Sequence, residues 1–540
     1  MANHTYDSEL LDLTLGQFLA RKAARNGGKP FLDSLHDGRV LTYEALNEQA
    51  NDLATKLRQW GLSRGIHVAM LCDNRPEQIV TYFALGILGA VCVPVNTAAK
   101  ASFLEYILSQ SDSTAIVTEP EHLQALADVI DALPRLGTIF LFASVEPDAG
   151  PSELPATLRS LRVIELESAL DSHADVVDEA SPSDLAQILY TSGTTGRSKG
   201  NMFSHTAMLN WARQVAEGQD LTADDVYLVV FPLFHAGAWL SCVMTTMWVD
   251  GTVVLGRRFS ASRFLDQARG CRATTAFVVS VASFLSAQPP SPADRDHRLR
   301  RLVTAPPPPN PLQFEERFGL RLVAGFGLSD YGCSHSRGFS APASKVESSG
   351  TLNPGWEVMC ADDRGLATPT GVPGEILLRC NIPGGAASGY YKMPEATLES
   401  RRDLWFHTGD IGYIDEDGYL YFVDRKKDVI RRRGENISSI ELELVLSQHS
   451  DVASVAFFPV RAESAEDEVA VAIVQRHPGR LREADIVAYC ESVMPRYAVP
   501  RYVRFVESFP FTASGKVQKA SLRKETESML TLIWDRQASA

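Results

Sequence analysis

The feature that most constrains this chain is a repeated change of hydrophobic period. Tyr43 to Trp60 sets Leu46, Ala50, Leu53, Ala54 and Leu57 along one helix face. Val68 to Cys72 is unbroken apolar sequence, the mark of a short buried strand. Asn74-Arg75-Pro76-Glu77 then opens an apolar helix to about Leu88, and Val91 to Val95 reads as strand again. Ala115 to Thr118, Thr138 to Phe142, Gln187 to Tyr190 and Val226 to Phe231 continue the strand pattern, several with helices between. Helix and strand in turn predict α/β layers with mostly parallel sheets. No short-period repeat is present.

Prolines and glycines punctuate the rest. Glu146 to Pro155 and Pro289 to Asp296 read as loops, Pro306 to Pro309 cannot be helical, and Pro383 to Gly389 is a small-residue loop. Ile411 to Val423 reads as two strands around an Asp417-Gly418 turn. Asp415, Asp417 and Gly418 lack the twelve-residue spacing of a calcium loop. The charge run Asp424-Arg425-Lys426-Lys427-Asp428 follows. Beyond it come a helix near Ser439 to Gln448 and strands near Val452 to Pro459 and Glu468 to Gln475. We therefore expect a large N-terminal domain of layered α/β subdomains at 1–424, a hinge at 425–428, and a small mobile α+β C-terminal domain at 429–540.

The totals exclude several classes. A net charge of −14 argues against a nucleic-acid binder. The eight cysteines form no CxxC pair, so a zinc ribbon or thioredoxin-type site has no support. Residues 1–10 lack the basic start and apolar core of a signal peptide, and no apolar run approaches the roughly 20 residues of a membrane span. The expectation is a cytoplasmic protein with reduced, buried thiols.

Chemistry concentrates first in Tyr190-Thr191-Ser192-Gly193-Thr194-Thr195-Gly196-Arg197-Ser198-Lys199-Gly200. Glycines let backbone N–H groups face one point, hydroxyls donate further hydrogen bonds, and Arg197 and Lys199 balance negative charge. That is a phosphate cradle placed directly after a buried strand. It is not GxxxxGK[ST], because Ser198 precedes Lys199, so an ordinary P-loop enzyme is disfavoured.

This segment closely resembles the phosphate loop of the adenylate-forming superfamily: acyl- and aryl-CoA synthetases, peptide-synthetase adenylation domains and firefly-type luciferases. That loop usually reads YTSGTTGxPKG. Ser198 stands here for Pro and Asn201 for a small apolar residue, and no phosphate-contacting group is lost. The resemblance extends in order through Phe231-Pro232-Leu233-Phe234-His235, Gly325-Phe326-Gly327-Leu328-Ser329-Asp330, Trp405-Phe406-His407-Thr408-Gly409-Asp410 and Pro510-Phe511-Thr512-Ala513-Ser514-Gly515-Lys516.

The resemblance implies residue roles. Thr191 to Lys199 hold the ATP phosphates, and Thr304, Ala305 and Pro306 border the adenine by backbone. Phe326, flanked by Gly325, Gly327 and Leu328, stacks on adenine. Ser329 bonds the α-phosphate. Asp330 holds magnesium, being Asp where Glu is usual. Asp410 accepts from the ribose hydroxyls, with Arg425 on ribose or phosphate. Lys427 is the hinge residue, and Asp424 replaces a usual Gly. Lys516 is the catalytic lysine, with Ser329 and the pocket-gating His235 as the other catalytic candidates. The acyl pocket would include His235, Ala236, Gly237, Val279, Thr304, Gly325, Cys333 and Ser334. Arg433 and Gly434 would line the thiol tunnel, where Arg432, Arg433 and Glu435-Asn436-Ile437-Ser438 bear a likeness to carnitine/crotonobetaine-CoA ligases.

The implied activity is AMP-forming acid–thiol ligation from ATP, magnesium and coenzyme A, in a monomer or homodimer. The pocket residues are mixed in size and mostly neutral, which favours a small to medium aliphatic or aromatic acid. Two alternatives stand beside it: a stand-alone adenylation enzyme loading a separate carrier protein, and a catalytically inactive nucleotide or acyl sensor. The sequence runs 24 residues beyond Lys516, so a carrier domain in cis is not expected.

Overall fold

The computed structural model describes residues 13–99, 101–145, 154–166, 180–191, 198–278, 282–304, 307–308, 310–426, 428–432, 435–461, 467–496, 498–511, 517–530 and 532–538. It falls into two compact units. The first comprises Met1–Thr191, Ser198–Glu357 and Arg379–Phe406; the second comprises Val358–Leu378 and His407–Ala540, so residues 425–428 lie within the second.

Two sheets organise the first unit. One has seven strands in the order Arg162–Glu165, Thr138–Leu141, Ala115–Thr118, His67–Leu71, Val91–Pro94, Leu185–Thr191 and Lys199–Ser204. All neighbours in it are parallel except the last pair, a hairpin. The other runs Pro30–Ser34, Thr252–Leu255, Val226–Val229, Thr275–Phe277, Arg301–Val303 and Arg321–Leu328, all parallel. Antiparallel strands flank it at Val40–Thr42 and at Gly332–Arg337.

Side chains alternate between the two faces, and both faces are covered, which explains why the central strands are mostly apolar at successive positions, as in Val68–Leu71 and Val91–Val93. Val68 and Met70 enter one core, together with Tyr227, Val229, Val253 and Leu255 of the other sheet. Ala69 and Leu71 point the opposite way, into a core with Leu104, Ile107 and Leu108. Leu228, Val254, Ala276 and Leu302 fill a third. Each sheet is therefore covered on both faces. The helices Leu15–Asn26, Tyr43–Gln59, Pro76–Leu88 and His205–Gly218 supply residues to the core that both sheets share. Thr14, Thr42 and Ser204 cap three of them by accepting a backbone N–H, and Pro76 opens the fourth where no partner is needed for its nitrogen.

The second unit contains Tyr419–Arg425 and all but the first residue of Phe406–Ile414, paired as the expected hairpin, with the strand Gly374–Cys380 alongside as far as Leu378. It also holds a four-stranded sheet of Val452–Arg461, Asp467–Gln475, Tyr502–Phe505 and Trp534–Asp535, with helices Ser439–Leu446, Glu483–Val493 and Lys519–Ser528. The expected strands and helices are present within a few residues of their predicted ends. Pro289 to Asp296 differs: Ser291 caps a 3₁₀ turn at Pro292–Arg295, and Asp294 pairs with Arg317 at 2.7 Å. Among the described residues no helix is long and apolar enough to cross a membrane.

Candidate active site

Open α/β sheets present ligand sites beyond the carboxyl ends of their strands. In the first unit those ends carry the sequence-predicted groups: Phe231 to His235 after Val226–Val229, Thr304 after Arg301–Val303, and Ser329 and Asp330 after Arg321–Leu328.

The ends of the candidate phosphate loop are fixed by a hairpin, with Thr191 opposite Lys199 and Tyr190 opposite Gly200. A Cβ at Gly200 would lie 2.7 Å from Ile188 Cγ2, so only glycine lets the two strands close here. Tyr106 donates its hydroxyl to the Ser198 carbonyl at 2.9 Å, and the buried Asn201 amide donates to the Leu189 carbonyl at 3.0 Å. Asn201 thus replaces a small apolar residue by a hydrogen-bonding strut. Lys199 Nζ sits 4.6 Å from the centre of the Tyr390 ring, a cation–π contact. Burial, and then the Asp330 carboxylate, push the Tyr390 phenol up to about 12. Tyr390 therefore links the loop lysine to the acidic turn.

That turn closes with Tyr331 N–H donating to the Leu328 carbonyl at 3.0 Å, and Ser329 and Asp330 are half-buried in it. Phe326 is opposite His335 on the neighbouring strand, with a register shift before Gly327. A hard carboxylate oxygen such as that of Asp330, completed by substrate phosphates, is the kind of donor set magnesium takes. The cluster of Asp73, Glu119 and His122 is different in kind. Arg75 and Arg257 pair with Glu119, and Arg258 pairs with Asp73 at 2.6 Å, so its charge is already balanced by guanidinium groups.

Strand alternation sends Cys333 and Ser334 to opposite faces. Burial holds the Cys333 thiol protonated, its pKa pushed up to about 12. Ser334 Oγ donates to the Phe326 carbonyl at 3.3 Å and meets His335 Nδ1 at 2.9 Å. Burial pushes the His335 imidazole down to about 3 and that of His205 down to about 4. Below pH 6.5 the unfolded chain therefore takes up protons that the folded chain refuses, and stability falls as the pH drops. His335→Asn is expected to remove up to about 1.4 kcal/mol per pH unit of that loss between pH 6.5 and 5. Urea midpoints of the two proteins across this range check it.

His235 is half-buried at the start of the short helix Ala236–Ala238. Its Nδ1 accepts from Gly237 N–H at 3.1 Å, which leaves the proton of the neutral ring on Nε2. Its ring meets Phe231 edge-on at 4.9 Å. The backbone of this segment is set from a distance. Asn74 donates to the carbonyls of Phe231 and Gly256 at 3.0 and 3.1 Å and accepts from Leu233 N–H at 2.8 Å, while Tyr82 donates to the Leu233 carbonyl at 3.2 Å.

In the second unit Asp410 is only 2% exposed and opposes Arg425 in register, with its Oδ1 2.8 Å from Arg425 Nε. Thr408 Oγ1 accepts from the Asp410 N–H at 3.0 Å and donates to the Ile376 carbonyl at 2.7 Å. Asp424 accepts from the Ser439 N–H and hydroxyl at 2.6 and 2.7 Å, tying its strand to the start of the helix Ser439–Leu446. Arg432 is buried and pairs with Glu468 at 2.7 Å. Ser192 to Arg197, Val279, Ala305, Pro306, Lys427, Arg433, Gly434 and Lys516 lie outside the described residues. Sequence reasoning missed Tyr390, Asn74 and Tyr106. The only signals were a Gly389-Tyr390-Tyr391 step closing a small-residue loop and an Asn two positions before a helix-opening Pro.

The AMP-binding enzyme family model matches residues 19–391, and the AMP-binding enzyme C-terminal domain matches 441–516. The chain belongs to the AMP-binding enzyme family. A similar curated relative is a crotonobetaine/carnitine–CoA ligase of Salmonella agona (strain SL483), 31% identical over 491 residues, covering 90% of this chain and 93% of that protein. Among solved structures, ATP-bound MatB from Rhodopseudomonas palustris matches with a TM-score of 0.82 and 25% identity, over 96% of this chain and 100% of that one. The amide bond synthetase McbA from Marinactinospora thermotolerans matches with a TM-score of 0.80 and 26% identity, over 95% and 99%. Family membership accords with the order of the motifs along the sequence and with the mostly parallel α/β sheets.

Proposed function

We propose that this protein is an AMP-forming acid–CoA ligase. One observation carries the reading: both parts of the AMP-binding family match, and the relative that covers nine-tenths of the chain is itself a CoA ligase. A carboxylate oxygen of the acid attacks the α-phosphorus of ATP, the bond to the β-phosphate oxygen breaks, and acyl-adenylate and pyrophosphate form. The CoA thiol then attacks the acyl carbonyl, losing its proton, and AMP leaves.

Two anions must meet in the first step, so charge neutralisation and alignment carry the catalysis. In our reading Thr191 to Lys199 grip the departing pyrophosphate, with Lys199 braced on Tyr390. Phe326 receives adenine between Gly325 and Gly327, with Leu328 and the backbone at 304–306 beside it. Ser329 bonds the α-phosphate, and Lys516 contacts the α-phosphate and the carboxylate. Asp330 would hold magnesium, which when bound offsets charge on the phosphates. Asp410 and Arg425 take the ribose. No general base is needed, because the attacking acid is already ionised.

His235, Ala236, Gly237, Val279, Gly325, Cys333 and Ser334 would line the acyl pocket, and Arg433 and Gly434 the thiol path. Residues 425–428, with Lys427, would be the hinge between a domain at 1–424 and one at 429–540. The eight cysteines are all free thiols, which suits a reducing, cytoplasmic setting. The match to an amide bond synthetase makes the acceptor the point to test second.

A panel of small aliphatic and aromatic acids is expected to include at least one that drives ATP–pyrophosphate exchange and, with CoA present, AMP release. No acid-dependent exchange across the panel would leave a nucleotide or acyl sensor. Exchange without CoA-dependent thioester would point to a carrier protein or an amine as acceptor.

A further inference from the structure

Glu375 is a buried carboxylate, 6% exposed, at the start of the strand Gly374–Cys380. One of its oxygens accepts from the Gly409 N–H at 3.3 Å and lies 3.5 Å from His407 Nδ1. The other is 2.9 Å from Lys426 Nζ. The Lys426 N–H in turn donates to the Gly409 carbonyl at 2.9 Å. Gly409 is therefore held on both sides of its residue, by the Glu375 side chain at its N–H and by the Lys426 backbone at its carbonyl. It sits at φ +69°, a conformation that an L side chain strains to adopt, and that turn hands the chain on to Asp410. Lys426 is also the neighbour of Arg425, the partner of Asp410.

Burial favours the neutral acid at Glu375, yet the Lys426 ammonium and His407 outweigh it and hold the group below the usual carboxylate range. A buried anion with partners on two separate segments serves to fix them against each other.

We propose that Glu375 is a positioning residue for ribose recognition: it sets the Gly409 turn and the Arg425–Lys426 segment so that the Asp410 carboxylate stands at the height the ribose hydroxyls require. The inference rests on the reading of Asp410 as the ribose acceptor and adds a residue that touches no substrate.

The test is the ratio of kcat/KM for ATP to that for 2′-deoxy-ATP and for 3′-deoxy-ATP, in acid-dependent pyrophosphate exchange. Wild type is expected to prefer ATP, and Asp410→Asn to lose that preference. Glu375→Gln keeps an acceptor for Gly409 but loses the ion pair. It is expected to lower the preference by a few-fold to about tenfold, the size of one weakened hydrogen bond. In the Asp410→Asn background it should change the ratio no further. Lys426→Met, which removes the other half of the pair, should lower the ratio likewise, and decides the matter if Glu375→Gln does not fold. A wild type without preference overturns the ribose reading itself. A preference lost in Asp410→Asn but kept in full by both folded Glu375→Gln and Lys426→Met overturns the role of Glu375 alone.

Discussion

Lys516→Ala is expected to lower acyl-adenylate formation by on the order of 10²–10³-fold, the effect of removing one charge-stabilising donor from a transition state, while much of the conversion of preformed acyl-adenylate to thioester survives. The asymmetry follows from charge. In the first step a carboxylate approaches a phosphate, so a cation between them matters most where the two anions come together. In the second, the carboxylate has become a neutral acyl carbonyl and AMP departs from it, so the same cation has far less repulsion to offset. The neighbours of this segment are fixed within the second unit. Phe511 bridges to Val517, Gln518 N–H donates to the Pro510 carbonyl at 2.8 Å, and Lys519 pairs with Glu443 at 2.7 Å. Pyrophosphate exchange measures the first step, and CoA-dependent turnover of synthetic acyl-adenylate measures the second. Equal loss in both would count against a role for Lys516 confined mainly to the first step.

The sequence revealed those parts of the fold and site whose causes are local. Strands buried on both faces are apolar at nearly every position, which is why His67–Leu71 and Ala115–Thr118 were readable to within a residue. The Asp417-Gly418 turn declared its hairpin in the same way. The residues that hold the site had no local signal. Asn74 reads as a helix-opening turn, yet its amide serves carbonyls 157 and 182 positions away. No sequence signal marks Glu375, and only Lys426, 51 positions on, shows why it is buried. Asp424, a departure from the family's usual glycine, has its reason in Ser439 across a turn of chain. Groups that touch substrate repeat as motifs; groups that brace them are chosen by tertiary neighbours.

Asp225→Ala is expected to destabilise the protein by about 3–5 kcal/mol, the usual effect of leaving a buried charge without its partner, with little change in KM for ATP in the molecules that remain folded. Asp225 is 1% exposed and stands just before the strand Val226–Val229. Its carboxylate accepts from Thr222 N–H at 2.9 Å and Thr274 Oγ1 at 2.7 Å, and it pairs with Arg300 at 2.8 Å and Arg301 at 2.7 Å. Arg301 is itself 4% exposed, so alanine at 225 leaves a guanidinium buried without its carboxylate. Burial favours the neutral form of Asp225, but the threonine bonds and arginine charges prevail and hold its pKa below the usual value. The contribution is thus fully present above the unfolded value of about 3.9 and fades as the pH falls through the folded one. The loss should therefore be undiminished at neutral pH. Its place in the fold makes the effect structural. Asp225 gathers the amino ends of Val226–Val229, Thr275–Phe277 and Arg301–Val303, whereas the candidate nucleotide and acyl groups leave their carboxyl ends. Urea midpoints at pH 7 measure the loss, and pyrophosphate exchange at low denaturant measures KM. A large rise in KM with the midpoint unmoved would mean that the amino ends of these strands take part in binding.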